Sequence, residues 1–279
     1  MNILRLQCED KPGIVAAVAT ALSNHQCNIE ESSQYNDPFS NQFFMRVVFT
    51  PINADSLNNF KDSFAPLSQK FDMDWRICDS NAKIKTILLV SQYDHCLNDL
   101  LYRWRTAHLP IEITAVISNH ETAKNMVMDY GLPFYHLPIT KETKSEQERM
   151  VSNIIEETDS ELIVMARYMQ ILTQNFCNTY QGRVINIHHS FLPGFKGARP
   201  YTQAYERGVK IIGATAHFAT ADLDEGPIIA QDIEHIDHSY TPKKMEQLGQ
   251  DTESRVLARA IDLYAQRRIF LKDRRTIIL

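Results

Sequence analysis

The sequence lacks the features by which membrane and secreted proteins are usually recognised. No apolar run approaches the roughly 18 residues of a membrane-spanning helix, and the first ten residues, MNILRLQCED, contain no signal-peptide core. The five cysteines are odd in number, scattered and never spaced as C-x-x-C, so we expect reduced, structural thiols. These absences predict a cytoplasmic protein with no membrane partner.

An excess of positive charge and the common nucleotide-binding loops are also missing. The net charge of -5 provides no basic patch for a nucleic acid, and acids alternate with bases in stretches such as Glu253-Ser254-Arg255, which is typical of solvated helix faces. No strand is followed by G-x-G-x-x-G, and no Walker A loop occurs. We therefore expect no nucleic-acid partner, no nicotinamide cofactor and no phosphoryl transfer from a nucleotide.

The residues that are present predict two domains. The chain has 279 residues, of which 44% are hydrophobic and 23% charged, the composition of a globular protein of about two domains. A polar stretch at 78–83 interrupts the periodic pattern, so we place one domain at 1–80 and the other at 84–279. Both are expected to be of the α/β class.

The first eighty residues alternate between strand and helix patterns in the order βαββαβ, which is the ferredoxin-like split arrangement. A strand pattern covers residues 3–8, and the turn that follows opens a helix for which Asp10 is a candidate cap and Pro12 fits the first turn. Apolar residues then recur at helical spacing. Nothing in this domain suggests catalysis.

A strand followed by D-K-P-G-I, a helix and C-N-I resembles the ACT domain family, small modules that often bind amino acids at dimer interfaces. The resemblance implies a homo-oligomer and an amino-acid effector. Glycine in the turn leaves room for close backbone approach, and the helix N-terminus offers free N–H groups to a carboxylate. The regulatory-ligand candidates are Asp10, Gly13, Ile14, Asn28 and Ile29. Dimerisation without any ligand remains the alternative.

From residue 86 onwards, strand patterns alternate with helix patterns, which predicts a doubly wound, mostly parallel sheet. The run at 85–90 is almost continuously apolar, as expected for a parallel strand covered on both faces. The charged segment 142–157 is predicted as a largely exposed helix. Near the C-terminus, Thr241-Pro242 opens a further helix, and 270–279 are predicted to form a closing hairpin.

The stretch VINIHHSFLPGFKGARP at 184–200 joins an apolar strand to two histidines and a loop containing Gly197. Strand alternation places Asn186 and His188 on the same side, where the carboxyl end of the strand is a usual ligand position. Asp224, in the loop 221–227, could face them, orient water and hold His188 charged. A capping asparagine, a surface histidine and a turn-forming aspartate are the alternative.

Two longer patterns resemble the formyltransferase fold of enzymes that use 10-formyltetrahydrofolate: N-I-H-H-S-F-L-P-x-F-x-G and, about thirty residues later, G-A-T-A-H-F-x-T-x-x-L-D-x-G-P-I-I. The run A-R-Y-M-Q-I-L at 166–172 is similar to the folate-pocket segment of that family. With H-C-L-N-D-L-L in place of a glycine-rich phosphate loop, and the ACT-like domain in front, the whole chain resembles the formyltetrahydrofolate deformylase family.

This resemblance implies hydrolysis of 10-formyltetrahydrofolate to formate and tetrahydrofolate, supplying formate for purine synthesis and balancing the one-carbon folate pool. It implies Asn186 as the donor to the formyl oxygen, His188 as proton shuttle and Asp224 as its partner, with no metal and no cofactor beyond the folate substrate. His189 is expected to face away from His188, with a supporting role near the water. The substrate-binding candidates are Met169, Gln170, Ile171, Leu172, His189, Thr220, Ala221, Asp222 and Leu223.

Three alternatives remain open from the sequence. The first is formyl transfer to a small, unphosphorylated amine. The second is an amino-acid-responsive regulator that binds folate without turnover. The third is a metal hydrolase, although H-E-x-x-H and comparable compact ligand sets are missing; its candidate ligands are His188, His189, His217, Asp222, Asp224, His235 and His238.

Overall fold

Residues 1–194 and 200–279 are described by the structure, which is a computed structural model. Gly197, one of the loop residues noted in the sequence, lies outside the described residues, as does Phe195 of the same motif. The chain divides into two units. The first comprises Met1–Ala82, Gln266–Phe270 and Ile277–Leu279, and the second comprises Lys83–Ala265 and Leu271–Thr276.

The N-terminal part of the first unit confirms the βαββαβ order. Its elements are β1 (Asn2–Glu9), α1 (Ile14–Asn24), β2 (Cys27–Asp37), β3 (Gln42–Pro51), α2 (Ala54–Lys70) and β4 (Asp74–Asp79). The strands form an antiparallel sheet in the order β2-β3-β1-β4, as the ferredoxin-like arrangement requires. Val18 of α1 and Phe60 and Phe64 of α2 are fully buried in the core of this unit.

Helix α1 begins differently from the prediction. Its N-cap residue is Gly13, with a φ of 94° in the left-handed region and no side-chain hydrogen bond to the helix. Asp10 lies three residues further upstream and instead accepts a hydrogen bond from Asn36 Nδ2 over 2.5 Å. The prediction that Asp10 caps the helix was therefore wrong, because a left-handed turn that favours glycine brings the chain into the helix.

The last residues of the chain complete the first unit. Phe270 packs edge-on against Phe44, with ring centroids 5.6 Å apart, and the guanidinium of Arg5 lies 4.4 Å from the centre of the Phe270 ring. Arg5 also donates a hydrogen bond to the carbonyl of Ile269 over 2.6 Å, and Arg46 donates one to the carbonyl of Gln266 over 3.2 Å. Sequence patterning did not predict this return of the chain.

The second unit confirms the doubly wound, mostly parallel sheet. Its elements are β5 (Ile84–Val90), α3 (His95–Arg105), β6 (Ile111–Ser118), α4 (Lys124–Asp129), β7 (Phe134–His136), α5 (Lys144–Glu157), β8 (Leu162–Met165), α6 (Gln174–Thr179), β9 (Val184–His188), α7 (Pro200–Arg207), β10 (Ile211–Phe218), β11 (Ile228–His235) and α8 (Pro242–Ala265). The predicted closing hairpin is β12 (Ile269–Lys272) with β13 (Arg275–Ile278).

The strand order is β11-β10-β9-β8-β5-β6-β7. Strands β9 to β7 of this order run parallel, and β10 and β11 are antiparallel. From β5 the chain first proceeds outwards through β6 and β7 and then returns to β8 on the other side of β5. The gap between β5 and β8 is therefore the topological switch point, where ligands of such sheets bind at the carboxyl ends of the strands.

Two helices bury charged residues that the sequence suggested were solvated. Glu148 of α5 accepts hydrogen bonds from the Thr173 backbone N–H, over 2.8 Å, and from the Thr173 hydroxyl. Glu253 of α8 has a side chain that is only 1% exposed. Both predictions of solvated faces were wrong at these positions, because each carboxylate points inwards and accepts hydrogen bonds there.

Among the described residues, no helix combines the length and apolar character needed to cross a bilayer.

The loop after β10 folds back closely on the strand. Phe218 donates its backbone N–H to the Pro227 carbonyl over 2.9 Å, and a Cβ atom placed on Gly226 would lie 1.7 Å from the Phe218 carbonyl oxygen. Asp224 lies in this loop with a φ of 58°. The close approach at Gly226 therefore fixes the path of the segment that carries Asp224.

Replacing Gly226 with alanine should destabilise the protein by about 3 kcal/mol or more, because the backbone must shift to relieve the contact. Urea denaturation measures this change. Gly131→Ala is the matched control: Gly131 has a φ of 72° but nothing within 4 Å of the added Cβ, so only the backbone strain of about 1–2 kcal/mol is expected. Equal costs for the two variants would contradict the role assigned to Gly226.

Candidate active site

The three predicted catalytic residues line one cavity at the carboxyl end of the parallel strands. The cavity has a volume of about 640 Å³. Asn186 and His188 reach it from β9, and Asp224 reaches it from the loop after β10. The alternation of the strand thus brings the amide and the imidazole to the same side, as expected.

His188 and Asp224 form a buried pair. Their Nδ1 and Oδ1 atoms are 3.2 Å apart, and each side chain is 7% exposed. Burial by itself raises the pKa of the Asp224 carboxyl, but the hydrogen bond from His188 outweighs it and holds the pKa well below its usual range. Asp224 is therefore an ionised carboxylate at neutral pH.

The other ring nitrogen of His188 has no hydrogen-bond partner among the described residues. Nε2 is buried and forms no hydrogen bond within the part of the chain that the structure describes. Because Nδ1 faces a carboxylate and must carry a proton, Nε2 presents a lone pair in the neutral ring. Buried polar atoms are nearly always hydrogen-bonded, so this atom marks a position for a substrate group or a water molecule.

His217 is a functional residue that the sequence reasoning included only as a potential metal ligand. Its Nδ1 lies 2.9 Å from the Phe218 carbonyl; since a carbonyl only accepts, Nδ1 carries the proton. Its Nε2 is then an acceptor, 3.2 Å from Asn186 Nδ2 and 3.7 Å from Asp224 Oδ1. His217 thus orients the amide of Asn186, its direct partner in the antiparallel register. This pairing of strands, which the sequence alone does not give, is the signal that would have identified the role of His217.

The strand pattern suggested that His189 faces away from His188, but the structure shows the two rings close together. The two rings are 4.9 Å apart with planes inclined by 31°. The expectation was wrong because β9 ends at His188, so strand alternation no longer applies to the next residue. The His189 ring also lines the cavity.

Arg167 fixes the tautomer of His189, and burial contributes most to keeping its ring neutral. A guanidinium nitrogen of Arg167 lies 2.6 Å from His189 Nδ1, and because a guanidinium can only donate, Nδ1 accepts and Nε2 carries the proton. Burial, followed by the positive charge of Arg167, lowers the pKa of His189 to about 4. His189 is therefore a neutral ring with a fixed tautomer at physiological pH.

Arg167 belongs to a buried polar cluster that sequence reasoning missed. Its Nε lies 3.4 Å from Glu253 Oε2, close enough for charge pairing although not aligned for a hydrogen bond. The same oxygen is 2.8 Å from His95 Nε2, and Tyr201 donates its hydroxyl to Glu253 Oε1 over 3.0 Å. No spacing in the sequence links residues so far apart.

Glu253 is charged in spite of its burial. Burial raises the pKa of its carboxyl, but the hydrogen bond from His95 and the charge of Arg167 lower it further, so the net shift is downwards. Together with His95 and Cys96 it forms the one compact group of metal-type ligand atoms among the described residues, all within 4.8 Å. The permanent charge of Arg167 opposes a cation there, and burial raises the pKa of the Cys96 thiol. None of the seven residues proposed for a metal hydrolase belongs to this group.

The candidate folate-binding segment forms one wall of the cavity. Met169, Gln170, Ile171 and Leu172 all line it. Two backbone donors of this segment are occupied: Met169 donates its N–H to Ser91 Oγ over 3.1 Å, and Gln170 donates its N–H to the Tyr168 carbonyl over 2.8 Å. A ligand on this wall would therefore meet carbonyl groups and side chains more than these two N–H groups.

The loop after β10 contributes only part of its predicted set. Thr220 and Leu223 line the cavity, whereas Ala221 and Asp222 do not. The carbonyl of Asp222 instead accepts hydrogen bonds from Thr220 Oγ1, over 3.0 Å, and from the Glu225 N–H, over 3.3 Å. Asp222 therefore has a turn-forming contact.

The candidate effector residues lie in two places in the first unit. Asp10, Gly13 and Ile14 are at the start of α1, where the Ile14 side chain is buried in the core and Gly13 faces open space. Asn28 and Ile29 lie on the edge strand β2, where Asn28 Nδ2 donates to Glu30 over 3.1 Å.

The chain matches two known protein families and several named relatives. Residues 84–261 match the formyl transferase family, and residues 2–57 match the ACT domain family. The chain is 44% identical over its whole length to a formyltetrahydrofolate deformylase from Corynebacterium sp. strain P-1, of which it covers 98%. It is 40% identical over its whole length to the formyltetrahydrofolate deformylase of Escherichia coli K12, again covering 98%.

Solved structures agree with this comparison. A formyltetrahydrofolate deformylase from Burkholderia mallei has a TM-score of 0.94 and 44% identity, with 100% of this chain and 99% of that chain covered. The glycinamide ribonucleotide transformylase 1 of Symbiobacterium toebii has a TM-score of 0.67 and 27% identity, covering 71% of this chain and 95% of that chain. The fold is thus shared with proteins named as hydrolases and with proteins named as transferases.

The His189 ring should titrate with a midpoint of about 4 in a pH series of ring NMR spectra, compared with about 6.5 for an unperturbed histidine. Since the unfolded chain binds more protons between these values, His189 adds stability above pH 6.5 and loses it as pH falls through about 4. His189→Gln assigns the resonance and should weaken the pH dependence of stability in this window. A midpoint close to the ordinary value would disprove the assignment.

Proposed function

The chain, an ACT domain followed by a formyl transferase domain, belongs to the formyltetrahydrofolate deformylase family, and we propose that Asn186, His188 and Asp224 carry out its reaction. The protein is a hydrolase that acts on a formyl–nitrogen bond: water and 10-formyltetrahydrofolate give formate and tetrahydrofolate. Formyl transfer to a small amine is not favoured, because relatives matched over the full length carry the name of the hydrolase.

The observation that carries the assignment of residues is the unpartnered Nε2 of His188. It is buried in the cavity wall, on a ring whose Nδ1 is held by an ionised carboxylate. An imidazole in this state can take up a proton at Nε2, and Asp224 stabilises the imidazolium that results. The geometry supports His188 as the group that exchanges protons with the substrate.

Asn186 stabilises the negative charge that builds on the formyl oxygen when water attacks. His217 accepts one N–H of the Asn186 amide, which leaves the second N–H for the formyl oxygen. A preoriented donor of this kind typically contributes about a hundredfold or more to the rate. The role of His217 is therefore to position Asn186, without contact to the reacting atoms.

The protons can be accounted for with the same residues: one proton of water passes to N10, and the other leaves with formic acid, which ionises to formate. Water attacks the formyl carbon and gives up a proton to His188 Nε2, which forms a tetrahedral intermediate with its oxyanion at Asn186. The bond between the formyl carbon and N10 then breaks, and His188 returns the proton to N10 of the leaving tetrahydrofolate. Asp224 remains ionised throughout and keeps the ring oriented. No step requires a metal or a cofactor other than the folate.

The remaining roles concern binding and physiology. The pterin ring binds along the wall formed by residues 169–172, and Thr220 and Leu223 contribute to the same cavity. Ala221 and Asp222 shape the loop. The enzyme acts in the cytoplasm, supplies formate for purine synthesis and balances the one-carbon folate pool. The ACT domain pairs with its copy in a homo-oligomer and binds an amino-acid effector near the start of α1 and the edge of β2.

Purified protein mixed with 10-formyltetrahydrofolate alone should release formate and tetrahydrofolate in equal amounts. Formate is measured enzymatically and tetrahydrofolate by its absorbance. The hydrolase assignment requires turnover without an added acceptor. Folate binding without any formate would contradict it and would favour a regulator.

Asn186→Ala should lower the hydrolysis rate by about a hundredfold or more while folate binding, followed by fluorescence quenching, is largely retained. Asn178→Ala is the matched control, since Asn178 is exposed on α6 and away from the cavity; it should match the wild type in both measurements. A Asn186→Ala variant with wild-type turnover would remove Asn186 from the proposed mechanism.

One of the twenty amino acids should raise the melting temperature of the intact chain in a thermal-shift screen. Asn28→Ala should weaken this shift, because it removes a polar group from the proposed effector site, whereas Asn178→Ala should leave it unchanged. If no amino acid alters the melting temperature, the ACT domain serves dimerisation alone.

A further inference from the structure

Hydrolysis and transfer differ only in the nucleophile that reaches the formyl carbon. Proteins named as transferases share this fold, so the fold alone does not decide whether water or an amine attacks the formyl carbon. The buried cluster around Arg167 lies next to the catalytic residues and has no step in the hydrolysis described above. We call His95, Arg167, His189, Tyr201 and Glu253 the switch-point cluster.

The switch-point cluster lies at the topological switch point, where doubly wound sheets bind ligands. His95 follows β5, and Arg167 follows β8, so the cluster occupies the gap between these strands at their carboxyl ends. A helix N-terminus at such a gap is a general anion-binding position. Here the carboxylate of Glu253 lies 2.8 Å from the side-chain Nε2 of His95, the first residue of α3. The anion beside His95 is thus a carboxylate of the protein itself.

The cluster is built to remain closed. One oxygen of Glu253 accepts from Tyr201, and the other lies beside both His95 and Arg167. Gly249 lets Tyr201 approach α8, because a Cβ atom at that position would lie 1.9 Å from the Tyr201 hydroxyl oxygen. The Arg167 and Glu253 side chains are 9% and 1% exposed. Opposite charges that neutralise each other within the cluster leave no demand for an external ionic group.

The cluster also adjoins the reacting groups. Arg167 contacts His189, and the His189 ring lies 4.9 Å from the His188 ring. A molecule larger than water that approached His188 from this side would have to displace His189 or Arg167. The same cavity is lined by the proposed folate wall and by Asp224.

We propose that the switch-point cluster closes the acceptor side of the cavity, so that water is the only nucleophile that reaches the formyl carbon. This inference rests on the proposed hydrolysis of 10-formyltetrahydrofolate. Opening the cluster lets a small primary amine compete. The amine nitrogen then bonds to the formyl carbon, the bond from that carbon to N10 breaks, and the proton lost by the amine passes through His188 to N10.

The test uses the double variant Arg167→Gly/Glu253→Gln. It removes both charges together, so that neither is left unpaired, and glycine suits position 167, where φ is 63°. Wild type and variant are incubated with 10-formyltetrahydrofolate and glycinamide, and the ratio of N-formylglycinamide to formate is measured by mass spectrometry. This ratio is independent of the amount of folded enzyme, so a purely structural effect of the substitutions does not change it.

The wild type should give formate with no amide above the uncatalysed background, and the variant should raise the ratio by at least about tenfold, the scale on which contacts in a pocket discriminate between ligands. Arg255→Gln is the matched control: Arg255 lies on the same helix in exposed ion pairs with Asp232 and Glu234, and it should keep the wild-type ratio. If the double variant fails to fold, His189→Ala, which opens the same side, must raise the ratio instead.

A double variant that hydrolyses the folate but forms no N-formylglycinamide would overturn this inference and leave the proposed hydrolysis intact. An equal ratio in wild type and variant would overturn it as well. A wild type that produces no formate without an acceptor would instead contradict the proposed function itself.

Discussion

The pairing of His188 with Asp224 is the interaction on which the site depends. It joins the end of one strand to a loop that follows another, and it works only because the loop folds back tightly enough to bring a carboxylate to 3.2 Å from the ring. The close backbone approach at Gly226 makes that fold possible. A buried carboxylate is costly unless hydrogen bonds satisfy it, and here the His188 ring donates one. The same contacts leave one imidazole nitrogen directed at the cavity.

Much of the architecture could be predicted because it follows from the local periodicity of apolar residues. Alternating apolar residues and the near-continuous apolar run of β5 identify strands, and their alternation with helical stretches determines the class of sheet. Asn186 and His188 of β9 could be predicted to lie side by side for the same reason, since strand alternation fixes which side chains share a face. The prediction for His189 failed one residue later, where the strand ends and the periodicity no longer holds.

Other features could not be predicted because they depend on contacts between distant segments. Glu253 belongs to a helix with alternating charges, and nothing in its neighbours distinguishes it from a solvated residue; only the packing of α8 against α3, α7 and the strands β9 to β11 buries it beside Arg167. His217 needed knowledge of the strand register, which pairs it with Asn186. The cap of α1 depended on a left-handed glycine that composition alone does not reveal. In each case a tertiary constraint overrode a sound local rule.

The return of Gln266–Phe270 and Ile277–Leu279 to the first unit has a consequence for the order in which the protein matures. During synthesis the N-terminal sheet emerges from the ribosome early, but Arg5, Phe44 and Arg46 then lack the partners that the end of the chain provides. The unit that is made first is thus completed last, after the entire second unit has been translated. Cutting the gene between the two units would therefore separate the first one from part of its own core.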